Sequence, residues 1–326
     1  MGAATDGCDS RRPSTWTGCP PQVSNQPVDF LIHHLLVDPF DDFPLITCPS
    51  GCQSYPSPIN DDQSPMTDCL ISFGSNKGNS QQIIREALEI LRARFLEYHQ
   101  EQVTFVTSDF LVTQPVGGPE NQNAFVNGVA RFQSELEPSK IMALLHEVEQ
   151  EFGRLRRIRW DSRTLDLDLL LYGEKELETA DLKVPHPRMS FRQFVLVPAQ
   201  DVAQDMVHPT CQATLSDLLE CVRHRKKNIL WIADDEKSAQ FLDKQRESDL
   251  AENVTRSTLP ECLKDIKKES YKLVVFNVPS NPDDTYLQVR SQVIAEHRGP
   301  LLFLNNPSHD QLAIEFTAAV ETMKAI

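Results

Sequence analysis

Residues 165–170 read Leu165-Asp166-Leu167-Asp168-Leu169-Leu170. Alternation with period two is the pattern of a strand, where residues two apart point to the same side. Asp166 and Asp168 therefore share one face, and Leu165, Leu167 and Leu169 share the other. Aspartate is disfavoured inside strands, so two in one apolar strand call for a reason. Carboxylates spaced about 6–7 Å along a strand repel each other unless a cation sits between them. Oxygen donors without His or Cys suit Mg²⁺, which also retains waters and binds phosphate oxygens. The other reading is a solvated face of an edge strand.

Just upstream, Arg154, Arg156, Arg157, Arg159 and Arg163 place five arginines in ten residues, around Trp160. Arginine grips phosphate oxygens with a planar fork of donors. The context sharpens this: the chain carries 47 acidic against 32 basic residues, a formal charge of −15. That balance excludes a bulk nucleic-acid binder, so an anionic ligand has to be met by a local cluster. Arginines beside a carboxylate pair form the charge set of phosphoryl transfer. No GxxxxGK[ST] loop is present, so the chemistry lies outside the P-loop class.

The pattern predicts an ordered sequence of elements. A strand over 69–73 ends in Gly74-Ser75-Asn76, and a helix over 80–98 is capped by Ser80. A strand over 103–112, a turn-rich loop at 114–119 and a strand over 124–132 come next. A helix over 138–152 and the strand over 165–172 complete β-α-β-β-α-β, the ferredoxin-like order. Ahead of this, residues 1–65 hold ten of the 22 prolines and four of the eight cysteines. That segment is expected to be disordered, or to precede a true start at Met66. Cys48 and Cys52 lack further ligands at zinc spacing and read as loop thiols. The eight cysteines are not paired in spacing and read as reduced thiols of a cytoplasmic protein. No apolar run is long enough to span a bilayer.

Several separated motifs resemble the 6-hydroxymethyl-7,8-dihydropterin pyrophosphokinase family over about residues 68–222. They are Phe73–Asn76, Thr113–Gly117, Phe125–Asn127, Glu149–Arg154, Arg159–Leu170, Val184–Met189 and Arg192–Val195. The resemblance implies transfer of the β,γ-diphosphate of ATP to the pterin hydroxymethyl oxygen, for folate synthesis, with AMP leaving. It implies two Mg²⁺ ions held by Asp166 and Asp168, and catalytic arginines at Arg154 and Arg163. ATP contacts are implied for Glu149, Arg159, Asp168, Leu169, His186 and Arg192. Pterin contacts are implied for Thr113, Val116, Phe125, Asn127, Trp160, Asp166 and Phe194. Phe125 and Phe194 would sandwich the ring, Asn127 would read its edge, and Trp160 would close over it as a lid. The chain departs from the family at Asp161 and Ser162, where small residues or Pro are usual, and at Gln114, often Pro. Neither departure removes a ligand, and the charge of Asp161 is expected to compete for Arg163.

After the basic run Arg223–Lys227, apolar strands over 228–233, 272–278 and 301–304 alternate with helices, the pattern of a small parallel α/β domain. This part faintly resembles a response-regulator receiver domain. Asp234 and Asp235 follow its first strand, but Asn277 stands where the phosphorylated Asp belongs. The expected division is 1–65, 66–225 and 226–326, the last loosely linked through the basic run and of unknown partner. A non-enzymatic nucleotide or pterin sensor signalling through that last part is the competing reading.

Overall fold

The computed structural model describes residues 66–99, 104–115, 122–153, 163–225, 227–245, 254–305 and 307–322. All of them fall within one compact unit that begins at Asn60. The expectations for residues 1–65 lie outside the described residues.

The first sheet is built from β1 (Thr67–Ser75), β2 (Phe105–Thr107), β3 (Leu111–Thr113), β4 (Phe125–Ser134) and β5 (Asp166–Tyr172), with α1 (Ser80–Tyr98) after β1 and α2 (Pro138–Glu151) after β4. The strands pair antiparallel in the order β2-β4-β1-β5, with β3 continuing along β4. This is the ferredoxin-like arrangement expected from the chain order. Ile84, Ala87, Leu88, Leu91 and Phe95 form the buried stripe of α1. With Ile141, Leu145 and Val148 of α2, they cover Ile71, Phe73, Leu167 and Leu169 on one sheet face.

Two local expectations are corrected. Asn79, not Ser80, caps α1, its side chain accepting from the Gln82 amide. The single strand expected over 103–112 is two, because Ser108 interrupts the ladder. The Ser108 amide donates to the Val129 carbonyl, and the Val129 amide donates to the Ser108 hydroxyl, each at 3.0 Å. From Thr107–Ala130 to Leu111–Asn127, one strand advances four residues and the other three, a bulge that re-aims β3.

The opposite sheet face, including Leu70, Val129 and Leu170, belongs to a second cluster. After the hairpin β6 (Leu177–Glu178) and β7 (Lys183–Val184), a 3₁₀ turn at Met189–Phe191 leads into α3 (Gln193–Val202). Val195, Leu196 and Ala199 of α3 pack on that face. The hairpin β8 (Val207–His208) and β9 (Ala213–Thr214) leads to α4 (Leu215–His224), which carries a reciprocal capping box between Thr214 and Asp217.

The second sheet holds β10 (Lys227–Ile232), β11 (Val254–Ser257), β12 (Tyr271–Val278) and β13 (Leu301–Asn305), all parallel in the order β11-β10-β12-β13. Its helices are α5 (Glu236–Gln245), α6 (Leu259–Lys268), α7 (Asp284–His297) and α8 (His309–Thr322). The parallel α/β expectation holds. The short strand β11, Val-Thr-Arg-Ser, lacked an apolar run to reveal it.

The linkage between the two sheets is not loose. Leu215, Leu218 and Val222 of α4 share one buried cluster with Leu70 of β1 and Leu273 of β12. The basic run contributes a tie rather than a tether. Arg225 donates to the Tyr271 carbonyl at 3.0 Å, to His297 Nδ1 at 2.8 Å and to the His297 carbonyl at 2.7 Å.

Candidate active site

Directly opposed residues of antiparallel strands project to the same face. Gly74 of β1 opposes Asn127 on one side and Asp166 on the other. Ser72 opposes Val129 and Asp168 in the same way. One row thus runs Leu111, Asn127, Gly74, Asp166, and the next runs Val129, Ser72, Asp168. Phe125 shares the face with Asn127, two residues away along β4. Both carboxylates therefore lie on the α3 side, while Leu167 and Leu169 are buried on the other. Gly74 forms the floor between the amide and the first carboxylate. A Cβ there would lie 3.1 Å from Asn127 Oδ1.

Asn127 is buried and donates from Nδ2 to the Thr113 hydroxyl at 2.9 Å, which fixes the amide's orientation. Phe125 and Phe194 are half-buried, not sealed in the core as most phenylalanines here are. The Arg192 guanidinium lies over the Phe194 ring, 5.3 Å from its centroid. Arg163 pairs with Asp166 Oδ2. The competition expected from Asp161 lies outside the described residues, and Asp166 itself holds Arg163.

Glu149 is 1 % exposed, although helix periodicity alone makes it a solvated residue. Its Oε1 accepts from the Leu167 amide at 2.7 Å, holding edge strand β5 between the two aspartates. Leu169 is 2 % exposed and packs in the α1–α2 core, so its side chain does not reach the carboxylate face.

The turn from β7 to α3 brings His186 and Arg192 to the same side. The His186 amide donates to the Leu170 carbonyl at 2.9 Å, beside Asp168 on β5. Burial and then the positive Arg192 and Arg188 push the His186 pKa down to about 3, so the ring is neutral near pH 7. Its Nδ1 accepts from the Arg188 amide at 3.3 Å, which assigns the proton to Nε2 and leaves a donor for an anion. Burial and Arg188 lower Arg192 to about 10, against the opposing pull of Asp168 and Asp166. It remains a cation at neutral pH.

Asn76 closes the Phe73–Asn76 motif, yet the sequence alone gave its side chain no role. It is 1 % exposed. Its Oδ1 accepts from the Arg163 amide at 2.8 Å, and its amide donates to the Arg163 carbonyl at 3.1 Å. Its Nδ2 donates to Gln122 Oε1 at 3.1 Å. One side chain thus joins Gln122 to Arg163. The signal available in sequence was an Asn directly after a strand, where an amide satisfies free backbone groups.

Val116, Arg154, Arg159 and Trp160 lie outside the described residues. Among the described residues no three His, Cys, Asp or Glu side chains gather as a metal cage. A pair of carboxylates on an open face still fits Mg²⁺, whose other ligands are waters and phosphate oxygens.

A ferredoxin-like sheet presenting a carboxylate pair, cations and an amide on one face defines an α+β phosphate-transfer enzyme without a P-loop. Residues 70–204 match the family model for 7,8-dihydro-6-hydroxymethylpterin-pyrophosphokinase (HPPK). The chain is 37 % identical over 147 residues to the 2-amino-4-hydroxy-6-hydroxymethyldihydropteridine pyrophosphokinase of Haemophilus influenzae, covering 45 % of this chain and 88 % of that one. It is 40 % identical over 139 residues to that of Pseudomonas aeruginosa, covering 43 % and 82 %. Plasmodium falciparum HPPK-DHPS superposes over 80 % of this chain and 86 % of that one, at 10 % identity and a TM-score of 0.36, too loose to carry an argument. The chain belongs to the HPPK family. The receiver resemblance of the C-terminal part finds no support among these relatives.

Proposed function

We propose that the chain transfers diphosphate from ATP to 6-hydroxymethyl-7,8-dihydropterin, giving AMP and the dihydropterin diphosphate used in folate biosynthesis. The observation that supports this is the row Asn127–Gly74–Asp166, which sets an amide suited to a pterin edge and a carboxylate suited to Mg²⁺ on one face. Family membership supports the same reaction.

Asp166 and Asp168 would hold Mg²⁺, as two ions. Bound Mg²⁺ spreads the charge that develops on the transferring phosphates. Arg163, with Arg154 and Arg159 just before it in sequence, grips the phosphate oxygens. Arg192 adds a cation, and neutral His186 donates from Nε2. Asp168, Glu149 and the backbone of Leu169 complete the nucleotide side. Glu149 acts chiefly by holding the strand that carries both aspartates. Phe125 and Phe194 stack on the pterin, Asn127 reads its edge with Thr113 and Val116, Asp166 borders its hydroxymethyl arm and Trp160 covers it. Pterin stacking on Phe194 requires the Arg192 guanidinium to swing from that ring toward phosphate.

Residues 66–225 form the catalytic part and 226–326 an accessory part. Free, buried Cys69, Cys211, Cys221 and Cys262, their thiols pushed up by burial, suit a reducing cytoplasm. Among the described residues no helix is long and apolar enough to cross a membrane. No observation favours the sensing reading. AMP release, measured with and without hydroxymethyl-dihydropterin and with and without Mg²⁺, tests the function. AMP production that needs both is expected, and pterin-independent or absent AMP release would overturn it.

A further inference from the structure

The turn between β7 and α3 carries His186 and Arg192, with Phe194 just inside α3, and the parallel α/β part grips it from behind. Arg188 donates from Nε to Glu315 Oε2 at 2.8 Å and from Nη2 to Glu315 Oε1. This is a two-pronged pair between the turn and α8, 127 residues apart in sequence. Glu315 is 6 % exposed, so solvent screens the pair little. Two residues on, the Ser190 hydroxyl donates to the Leu301 carbonyl at 3.1 Å and accepts from the Leu301 amide at 3.3 Å. Ser190 is 1 % exposed, and its neighbours Met189 and Phe191 are fully buried. The edge of β13 thus holds the middle of the turn, and α8 holds its start.

Charge makes the grip necessary as well as geometric. Arg188 lies close enough to Arg192 to disfavour its charge, and Glu315 opposes that effect. Without Glu315, a second guanidinium stands uncompensated beside His186, and the turn loses its outer anchor.

We infer that Glu315 is a positioning residue for the nucleotide site: through Arg188 it sets the turn that presents His186 and Arg192 to the phosphates of ATP. This rests on the assignment of that turn to ATP under the proposed function. It also gives the C-terminal part a role, since a second sheet then completes the nucleotide wall of the catalytic sheet.

The test uses the full chain. Affinity for a non-hydrolysable ATP analogue with Mg²⁺ and affinity for 6-hydroxymethylpterin are measured separately, alongside melting. Glu315→Ala should weaken the ATP analogue by about tenfold or more, as lost charge-assisted hydrogen bonds imply, with pterin affinity within about twofold. Glu315→Gln keeps the shape and should show the same selectivity with unchanged melting. The double charge reversal R188E/E315R should recover most of the loss seen in either single reversal. Wild-type ATP affinity in both Glu315→Ala and Glu315→Gln would overturn the inference. So would equal loss of ATP and pterin affinity together with lowered melting, which marks general destabilisation. His186→Ala separates the premise from the inference. If it too leaves ATP affinity unchanged, the turn is not part of the nucleotide site and the inference falls with that premise. If it weakens ATP while the Glu315 variants do not, only the positioning role fails.

Discussion

Asp166 and Asp168 on β5, and Asp234 and Asp235 after β10, are both acidic pairs beside apolar strands. In the second sheet the acids are consumed by the fold. Asp234 Oδ1 accepts from the Leu259 amide at 2.9 Å at the start of α6. Asp235 Oδ1 accepts from the Ser238 amide at 2.7 Å and caps α5, and its Oδ2 accepts from Asn277 Nδ2 at 3.0 Å. Burial pushes Asp235 up, but hydrogen bonds from Asn277 and Ser238 outweigh it and hold it below the usual carboxylate range. Asn277, standing where a receiver would need Asp, also accepts from Trp231 Nε1 at 2.9 Å. In the first sheet the acids alternate along a strand, and Asp166 pairs with Arg163. Their neighbours across the face are cations and an amide.

The contrast between the two pairs is tested hardest at Asp168. Asp168→Asn should lower turnover by roughly a hundredfold or more, the loss of about 3 kcal/mol of charge stabilisation. Asp235→Asn, the matching change in the second sheet, should leave turnover alone. Equal effects in steady-state kinetics would erase the distinction. Next in size, Phe194→Ala should weaken pterin binding by about 1–3 kcal/mol through lost stacking and burial. Titration of both ligands checks it, since a loss shared by ATP would mark Phe194 as a packing residue.

Asp235→Ala should cost about 1–2 kcal/mol of stability, the worth of a helix cap, without altering kcat. A chemical denaturation series reads this directly, and reduced catalysis instead would give the second sheet's acids a functional role. The smallest effect near neutrality is on acid stability. His186 and His297 are held near 3 and His208 near 4, each lowered chiefly by burial. Their folded pKa values lie below the unfolded 6.5, so the unfolded chain binds more protons between these limits. Stability should be fully present above about pH 6.5 and fall as pH drops toward 3. Flat melting temperatures across that range would contradict the neutral assignments.

Much of the catalytic sheet was legible because its strands alternate and its helices carry one apolar stripe. The carboxylate face was readable from five residues of β5. Three features were hidden for physical reasons. The bulge at Ser108 sits inside a β-branched run that looks continuous, because a hydroxyl substitutes for a ladder bond without breaking the pattern. Glu149 lies on an α2 turn that periodicity assigns to solvent, and the Leu167 amide, met through tertiary packing, is bonded to it. Glu315 and Arg188 meet through tertiary packing that no local pattern encodes. The resemblance named residues on the nucleotide turn, but not what stands behind them.

The glycine between Asn127 and Asp166 has a consequence for reach. Neighbouring strands are spaced about 4.8 Å, so two steps across the sheet separate these residues by about 10 Å of backbone. That span is comparable with the long dimension of a two-ring heterocycle carrying a one-carbon arm. The sheet is therefore a ruler whose divisions are hydrogen-bond spacings. Side chains at either mark can be exchanged, and the loops above can change length, without altering the graduation. With Asn127 on the pterin edge and Asp166 at the metal, as proposed, acceptors with a longer arm would overshoot the carboxylates and those with none would fall short, so backbone spacing would select acceptor length.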